Sequence, residues 1–411
     1  MLPRLLLACL TLLAAACATP TLQAQPGTLV IVGGGLQPDN EEVFRHFLDA
    51  RPANARAIAI IPAASGAPSQ SAADFREALI SFGADPKDIH IVELAMLDDA
   101  QTASIDEAGW STNADDTGEI VKVARAGAIW FTGGDQSRLT ELLIDEDGRD
   151  TPMLTAIRER LKTGAVVGGT SAGAAIMSDP MITQGDTLAA MLPGARGEAV
   201  RFDRGLGFLH NVLVDQHFGE RARLGRLAAL LTQEGQPHRI GIGIDENTAI
   251  KVTAGDAQAL VLGTGYVTLL DARSASRGSG TRFAVRNMSL SLASSGDRIS
   301  MTDGRIEPAP FKKGTVGNEY FDKATIAGGG MALGAASLAE VAGEALLDNS
   351  ATREVERQSF SGAYGVTYRF IQTDASKGWW GRRPEGRAAY ALSAIRFDIE
   401  PLDIIMKKAE N

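Results

Sequence analysis

The feature that most constrains the fold is a repeated alternation of short apolar runs and amphipathic segments before residue 255. The runs "TLVIV", "AIAII" and "AIWF" have the length and composition of buried strands, and segments such as "NEEVFRHFLDA" between them place apolar residues at helical spacing. This order predicts an α/β fold, with a parallel sheet and helices on both of its faces. In such folds ligands bind in the loops at the carboxyl ends of the strands.

The pattern changes after about residue 255. Segments such as "ALVLGTGYVTLLDA" and "RFAVRNMSLSLASS" alternate apolar and polar residues, which is typical of antiparallel strands with one solvated face. Beyond residue 300 a Gly/Ala-rich helix candidate, 326–349, precedes the strand-like "GAYGVTYRFIQT" and "AAYALSAIRFDI". We therefore expect a main domain over 25–295 and a C-terminal α+β extension over 296–411.

The first 24 residues have the pattern of an export signal. A short positive segment precedes an apolar stretch too short for a comfortable membrane span, and small residues follow it. If the chain is cleaved after Ala24, we expect a secreted or periplasmic protein. If the sequence "AAAC" ending at Cys17 is processed as a lipoprotein signal, we expect a lipid-anchored protein. Both cysteines, Cys9 and Cys17, lie in this segment, so a form released after Ala24 has neither disulfides nor a cysteine nucleophile.

The charge balance narrows the class of partner. The chain has 40 Lys and Arg residues against 50 Asp and Glu residues, a formal net charge of −10, and no long basic block. Nucleic acid and anionic membrane surfaces are therefore not expected as main partners, whereas a cationic substrate is tolerated or attracted.

The stretch "AVVGGTSAGAAIM" contains the clearest candidate for a nucleophile. Gly169–Gly173 fits the G-x-S-x-G nucleophile elbow, in which a sharp turn between a strand and a helix exposes the oxygen of Ser171. The free N–H groups of the helix N-terminus then face a developing oxyanion. The alternative is a tight turn that contains a serine by chance.

A serine nucleophile needs a base, and His217 is the best placed of five histidines. It closes the predicted strand "VLVDQHF", which we expect to lie in the same sheet and to bring His217 to the same edge as Ser171. The alternative is an ordinary histidine at a strand end. Glu246 ends another buried run, "GIGIDENTA", and is the candidate acid, with Asp245 as its rival. The other histidines lie in an amphipathic helix, in a loop or at strand starts: His46, His238, His90 and His210.

Four blocks, taken in order, resemble the cyanophycinase family of serine peptidases, of the extracellular type. They are "FTGGDQSRL", "GGTSAGA", "VLVDQHFGERARLGRL" and "GIGIDENTA", and the similarity covers roughly residues 28–290. The family is related to aspartyl dipeptidases. The resemblance implies a parallel-sheet three-layer sandwich of the glutamine-amidotransferase-like type and a homodimer. It also implies hydrolysis of cyanophycin, a poly-aspartate that bears arginine on each side chain, to β-Asp-Arg dipeptides.

The same resemblance implies site residues. Ser171 is the nucleophile, His217 the base and Glu246 the acid that orients it. The residues implied around the substrate are Gln136, Asp215, Gln216, Arg221, Arg223 and Arg226. Arginines suit the substrate's carboxylates and a carboxylate suits its guanidinium, although "ERARLGR" is also compatible with a solvated helix face.

Two backbone N–H groups are the candidates for the oxyanion hole. They belong to Ala172, after the serine, and to Gly134, because "TGGDQ" is a glycine turn after a strand at the same edge. The chemistry needs no metal or cofactor. The acidic "IDEDGRD" lacks the later ligand of a calcium loop, and "VIVGGGLQP" lacks the glycine spacing of a dinucleotide site.

The C-terminal sequence "SKGWWGRRPEGR" combines Trp379 and Trp380 with arginines. It is either an exposed aromatic pair that binds an insoluble polymer or a hairpin whose tryptophans pack on the main domain. Two alternative functions also stay open: an aspartyl or isoaspartyl dipeptidase of the same fold, and a catalytically silent exported binding protein.

Overall fold

The computed structural model describes residues 26–192, 199–253, 255–325, 328–329 and 337–405. The expected export signal, 1–24, with the candidate anchor Cys17, lies outside the described residues. Within those ranges, the structure contains no helix with the length and apolar character needed to span a membrane.

Helices of the described residues are mostly short and lie between the strands of the first half of the chain. They are α1 (Glu41–Asp49), α2 (Pro68–Ser81), α3 (Thr117–Ala124), α4 (Gln136–Leu143), α5 (Pro152–Lys162), α6 (Ala172–Ala175), α7 (Thr187–Met191) and α8 (Leu224–Leu231), with a 3₁₀-helix (Glu107–Asp115) and a π-helix (Ala339–Leu347). Asp135 caps α4 by accepting a hydrogen bond from the Ser137 amide, which fixes the start of that helix at Gln136.

The strands follow in chain order. They are β1 (Thr28–Val32), β2 (Ile58–Ile61), β3 (Ile89–Ile91), β4 (Ala128–Phe131), β5 (Val166–Thr170), β6 (Met181–Gln184), β7 (Arg201–Asp203), β8 (Leu213–Gln216), β9 (Ile240–Ile244), β10 (Thr248–Thr253), β11 (Gln258–Gly263), β12 (Tyr266–Asp271), β13 (Ser276–Arg277), β14 (Val285–Ser294), β15 (Arg298–Ser300), β16 (Ile306–Glu307), β17 (Lys313–Gly314), β18 (Glu354–Ser361), β19 (Tyr364–Ile371), β20 (Lys377–Arg382) and β21 (Ala388–Asp403).

The first sheet has the order β16-β15-β11-β10-β1-β5-β4-β2-β3. Its strands β1, β5, β4, β2 and β3 are parallel, and the strands from β10 to β16 add antiparallel pairs at one side. The predicted α/β fold is therefore confirmed, and its large sheet contains parallel strands together with antiparallel ones.

The central strands of the first sheet are buried on both faces, which explains why β1, β2 and β4 consist almost entirely of apolar residues. In β1, Leu29 and Ile31 pack in one cluster with Ile157 of α5, whereas Val30 and Val32 pack in another with Phe47 of α1. Parallel strands are covered in this way because the connecting helices lie on both faces.

A second sheet has the order β17-β20-β21-β14-β12-β9-β8, with β13 paired to β14 and the hairpin β18–β19 paired to β21. Strands β8 and β9 are parallel to each other. The prediction that the strand before His217 lies in the same sheet as the strand before Ser171 is wrong, because β8 belongs to the second sheet. The two sheets nevertheless share one buried cluster, which includes Ile31, Val214 and Ile244.

Strands after residue 295 pair with both sheets. β15 and β16 continue the first sheet, and β21 pairs with β14 of the second. Lys312 connects these parts in the interior, since its ammonium contacts Asp297, the Ser294 hydroxyl and the Tyr390 carbonyl.

The strands predicted near 364–371 and 388–399 are confirmed as β19 and β21. Of the helix candidate 326–349, the structure describes the helical part Ala339–Leu347.

Candidate active site

Ser171 stands alone between a strand and a helix. Strand β5 ends at Thr170, α6 begins at Ala172, and Ser171 adopts φ 54° and ψ −106°. The flanking glycines are required by close packing, since a Cβ at Gly169 would lie 2.6 Å from the backbone oxygen of Gly173. The local geometry is therefore that of a strand-turn-helix elbow that exposes a serine oxygen.

Three side chains form one chain of hydrogen bonds at this elbow. The Oγ of Ser171 lies 2.8 Å from Nε2 of His217, and Nδ1 of His217 lies 2.6 Å from Oε1 of Glu246. His217 directly follows β8 of the second sheet, and Ser171 directly follows β5 of the first. Glu246 lies in the turn between β9 of the second sheet and β10 of the first. This arrangement allows His217 to take a proton from Ser171 while Glu246 orients the imidazole.

The rival acid, Asp245, points elsewhere. Its carboxylate accepts hydrogen bonds from the backbone N–H groups of Gly219 at 2.8 Å and Tyr266 at 3.0 Å. Burial and the nearby Glu220 carboxylate raise the pKa of Asp245 to about 7. Of the two acids, the geometry therefore places Glu246, and not Asp245, against the histidine.

The glycine loop 33–35 after β1 holds the backbone of the site. The Gly33 carbonyl accepts a hydrogen bond from the His217 amide at 2.6 Å, and the preceding Val32 carbonyl accepts one from the Ser171 amide at 3.1 Å. The backbones of the serine and the histidine are thus bonded to neighbouring peptide groups, although they belong to different sheets.

The same loop also packs directly on two of the three side chains. A Cβ at Gly34 would overlap the imidazole ring of His217, and one at Gly35 would lie 2.8 Å from Oε2 of Glu246. Both glycines have positive φ, 110° and 53°. Only glycine permits this approach and this conformation together. This role is not evident from the sequence, where the only signal is three consecutive glycines directly after a buried strand.

The surroundings of His217 favour its neutral form. Burial is the main cause that lowers its pKa from the usual 6.5, and the positive charges of Arg221 and Arg223 lower it further. The hydrogen bond to Glu246 acts in the opposite direction without reversing the shift. At neutral pH the imidazole is therefore unprotonated and able to accept a proton.

The two predicted oxyanion donors have free N–H groups. Neither the Ala172 nor the Gly134 amide hydrogen has an acceptor among the described residues. The turn that contains Gly134 lies beside the serine, since a Cβ at Gly133 would be 3.4 Å from the Cβ of Ser171. These groups are available to bind an oxyanion, and that role stays a prediction.

Three of the predicted substrate residues are paired with one another. Arg226 donates two hydrogen bonds to Asp215, and both side chains are almost fully buried, with 2% and 1% exposed. Arg223 lies 3.5 Å from the same carboxylate and donates to the Gln216 carbonyl. Burial lowers the pKa of Arg223 to about 10. Substrate contact by these three side chains stays a prediction.

The other three predicted substrate residues, Gln136, Gln216 and Arg221, differ in whether their polar atoms already have partners in the protein. Gln136 donates from Nε2 to the carbonyls of Ile182 and Thr183, both at 2.7 Å, and so holds β6. The Oε1 atom of Gln216 is buried without a hydrogen-bond partner in the described part of the chain. Arg221 is exposed. Gln216 and Arg221 are thus best placed to bind a further group.

Sequence comparison identifies the family of this chain. The model of peptidase family S51 matches residues 29–260. The chain belongs to peptidase family S51. Among its S51 relatives, the cyanophycinase of Trichormus variabilis is 31% identical over 297 residues, which cover 70% of this chain and 90% of the relative. That of Geminocystis herdmanii is 34% identical over 284 residues, or 66% and 92% of the two chains. The predicted resemblance is confirmed.

A comparison of folds gives a weaker likeness. The crystal structure of a peptidase from an acI-B1 Actinobacterium aligns with a TM-score of 0.47 and 22% identity, over 68% of this chain and 98% of that one.

In the described part of this S51 chain, no three His, Cys, Asp or Glu side chains are grouped so that they could hold a metal ion.

Proposed function

We propose that this protein is an exported serine peptidase that hydrolyses cyanophycin to β-Asp-Arg dipeptides through an acyl-enzyme. The observation that supports it most strongly is the hydrogen-bonded chain Ser171–His217–Glu246 at a strand-turn-helix elbow. The relatives named cyanophycinase support the choice of substrate, since they match across most of their length.

The first step forms the acyl-enzyme. Ser171 Oγ attacks a backbone carbonyl of an aspartyl unit, and Nε2 of His217 takes the hydroxyl proton. Glu246 accepts a hydrogen bond from Nδ1–H and stabilises the imidazolium that forms. The N–H groups of Ala172 and Gly134 donate to the oxyanion of the tetrahedral intermediate.

The second step releases the product. The intermediate collapses as His217 gives its proton to the leaving amine, which breaks the peptide bond. Water then attacks the acyl-enzyme, with His217 again accepting a proton, and Ser171 is regenerated. Every step uses protein groups and water, so the proposal requires neither a metal nor a cofactor.

Substrate recognition in this proposal divides the six polar residues into two sets. Arg221, which is exposed, binds a substrate carboxylate, and the unpaired Oε1 of Gln216 accepts a hydrogen bond from the substrate guanidinium. The remaining four shape the surroundings of the substrate: Asp215 pairs with Arg223 and Arg226, and Gln136 holds β6.

The organisation of the chain is also part of the proposal. Residues 25–295 form the peptidase domain with the sandwich fold, 296–411 form an extension joined to it, and two copies form a homodimer. Residues 1–24 direct export. Cell fractionation tests the export, and light scattering of the purified protein tests the dimer.

The decisive experiment uses the purified mature protein and insoluble cyanophycin, with soluble products identified by mass spectrometry. We expect β-Asp-Arg from the parent and from Ser71→Ala, a control whose hydroxyl bonds only within α2, but none from Ser171→Ala. Release by Ser171→Ala at the parent rate would exclude Ser171 as nucleophile. If the folded parent released nothing from cyanophycin but cleaved isoaspartyl dipeptides, the dipeptidase alternative would replace this proposal.

A further inference from the structure

A cavity lies in the part of the chain that follows residue 300. Its volume is about 860 Å³, and no residue of the Ser171 site lines it. Its floor comes from three neighbouring strands, β17, β20 and β21, where Lys313, Trp380 and Tyr390 occupy one cross-strand row. The loop around Tyr320 and the end of the π-helix also line it.

The cavity presents aromatic faces to solvent. Tyr320 is 83% exposed and packs edge-to-face with Phe321, with their ring centroids 5.0 Å apart. Trp380 packs partly on the core and also lines the cavity, whereas its neighbour Trp379 contacts the other core cluster. Aromatic rings that are grouped at an accessible surface are typical of binding sites.

Two of these rings already bind cations of the protein. The guanidinium of Arg382 lies 5.6 Å from the ring centroid of Trp380, and the ammonium of Lys323 lies 4.4 Å from that of Phe321. Planar guanidinium groups stack on aromatic faces and gain further from a nearby carboxylate. The lining therefore has the chemistry that recognises a guanidinium.

Charges of both signs surround these rings. Glu344 and Asp348 contribute carboxylates from the π-helix and the residue after it, while Lys313 and Arg382 contribute cations from β17 and β20. The partly exposed Glu344 carboxylate is paired with the Lys323 ammonium at 2.8 Å, and a ligand guanidinium competes with that ammonium for it. Asp348 is buried and held by the Tyr390 hydroxyl at 2.9 Å. A ligand that bears both a guanidinium and a carboxylate matches this lining, whereas a singly charged ligand matches only half of it.

We propose that this cavity is a second binding site for the Asp-Arg units of the polymer, separate from the site of hydrolysis. The guanidinium stacks on Tyr320 and pairs with Glu344, and the carboxylates of the unit pair with Lys313 and Arg382. This inference rests on the proposed function for the identity of the ligand. Its consequence is that the protein holds insoluble polymer through residues that take no part in the cleavage.

The test is co-sedimentation of the full Ser171→Ala chain with insoluble cyanophycin, so that bound protein does not consume its ligand. Tyr320→Ala and Glu344→Gln, each added to that chain, remove a ring and a charge from the cavity. The matched control is Tyr364→Ala, because Tyr364 is also exposed but lies on β19 and does not line the cavity. We expect Kd to rise at least about fivefold in the first two variants and to stay unchanged in the control.

The outcomes separate this inference from the proposed function. Equal binding of cyanophycin by the Ser171→Ala chain and its three further variants would overturn the second site, even if the unsubstituted protein releases β-Asp-Arg. Equal retention on plain poly-aspartate or on cellulose would overturn the choice of ligand. If the parent bound cyanophycin through Tyr320 and Glu344 but never hydrolysed it, the proposed catalysis would fail while the second site would stand.

Discussion

At the scale of single residues, the position of the acid decides how the site can act. Glu246 lies against His217, whereas its neighbour Asp245 accepts two backbone hydrogen bonds on the other side of the turn. Consecutive residues after a strand point in different directions, so only one of them can orient the imidazole. The sequence predicted Glu246 with Asp245 as its rival, and the geometry distinguishes them.

The first prediction compares the two acids. Glu246→Gln should lower kcat by about 10² to 10⁴-fold, because the amide cannot stabilise the imidazolium and favours the wrong tautomer. Asp245→Asn should lower kcat by less than about tenfold, since it acts only through the turn. Steady-state kinetics on folded variants would measure both. A larger loss of kcat in Asp245→Asn than in Glu246→Gln would contradict the assignment.

The second prediction concerns pH. The neutral form of His217 is the active base, so kcat/KM should fall as pH drops through its pKa, and this acid limb should have its midpoint below 6.5. Arg221→Gln should move the midpoint upward, because it removes a positive charge that lowers this pKa. A midpoint above 6.5 in the parent, or a downward shift in the variant, would be inconsistent with this environment.

Some side-chain contacts could not be predicted from residue types. The family resemblance implied Asp215 and Arg226 as substrate residues, and the structure shows that they pair with each other in the interior. The sequence pattern around a charged residue near a candidate site is the same whether the side chain faces a ligand or pairs with another side chain in the interior. The distinction depends on burial, which the pattern around residue 226 does not show.

At the scale of elements, the loop after β1 joins parts of the site that come from two sheets. The strands themselves were predictable, because apolar runs mark them clearly. The assignment of β8 and β9 to the second sheet was not, since strand pairing is non-local and the same apolar run fits either sheet. The turn 245–247 is where the chain passes from β9 of one sheet to β10 of the other.

The third prediction tests this loop. Gly34→Ala should lower kcat/KM by at least about 100-fold, because the new methyl group displaces the His217 ring. Gly83→Ala is the matched control, since Gly83 also has positive φ but nothing lies within 4 Å of a Cβ there. Both variants should lose about 1–2 kcal/mol of stability from the strained backbone, Gly34→Ala should lose more because of the overlap with His217, and only Gly34→Ala should lose activity. Equal activity in the two would show that the ring does not depend on Gly34.

At the scale of the whole molecule, residues after 295 are integrated with those before it. β15 lies in the first sheet and β21 in the second, and the buried Lys312 ammonium contacts both Asp297, directly before β15, and the Tyr390 carbonyl in β21. The change of pattern in the sequence suggested an extension but could not show this interleaving, because the paired residues of β14 and β21 lie 100 or more positions apart in sequence.

The fourth prediction concerns the contribution of the Lys312–Asp297 ion pair to stability. Lys312→Met should lower the free energy of unfolding by about 3–5 kcal/mol, because it leaves the Asp297 carboxylate buried without its partner. The control Lys162→Met removes an exposed lysine paired with Glu159 and should cost less than about 1 kcal/mol. Urea unfolding of the full chain gives both values. Similar losses in the two variants would show that the buried pair is not a major contributor.

The central claim is that Ser171 is a nucleophile activated by His217, and covalent labelling tests it most directly. The purified chain would be treated with a serine-directed fluorophosphonate, and the modified peptide would be located by mass spectrometry. We predict one label per chain, on Ser171, formed far more slowly in His217→Ala and absent in Ser171→Ala. Labelling at another serine, or none in the folded parent, would contradict the claim and favour a catalytically silent binding protein.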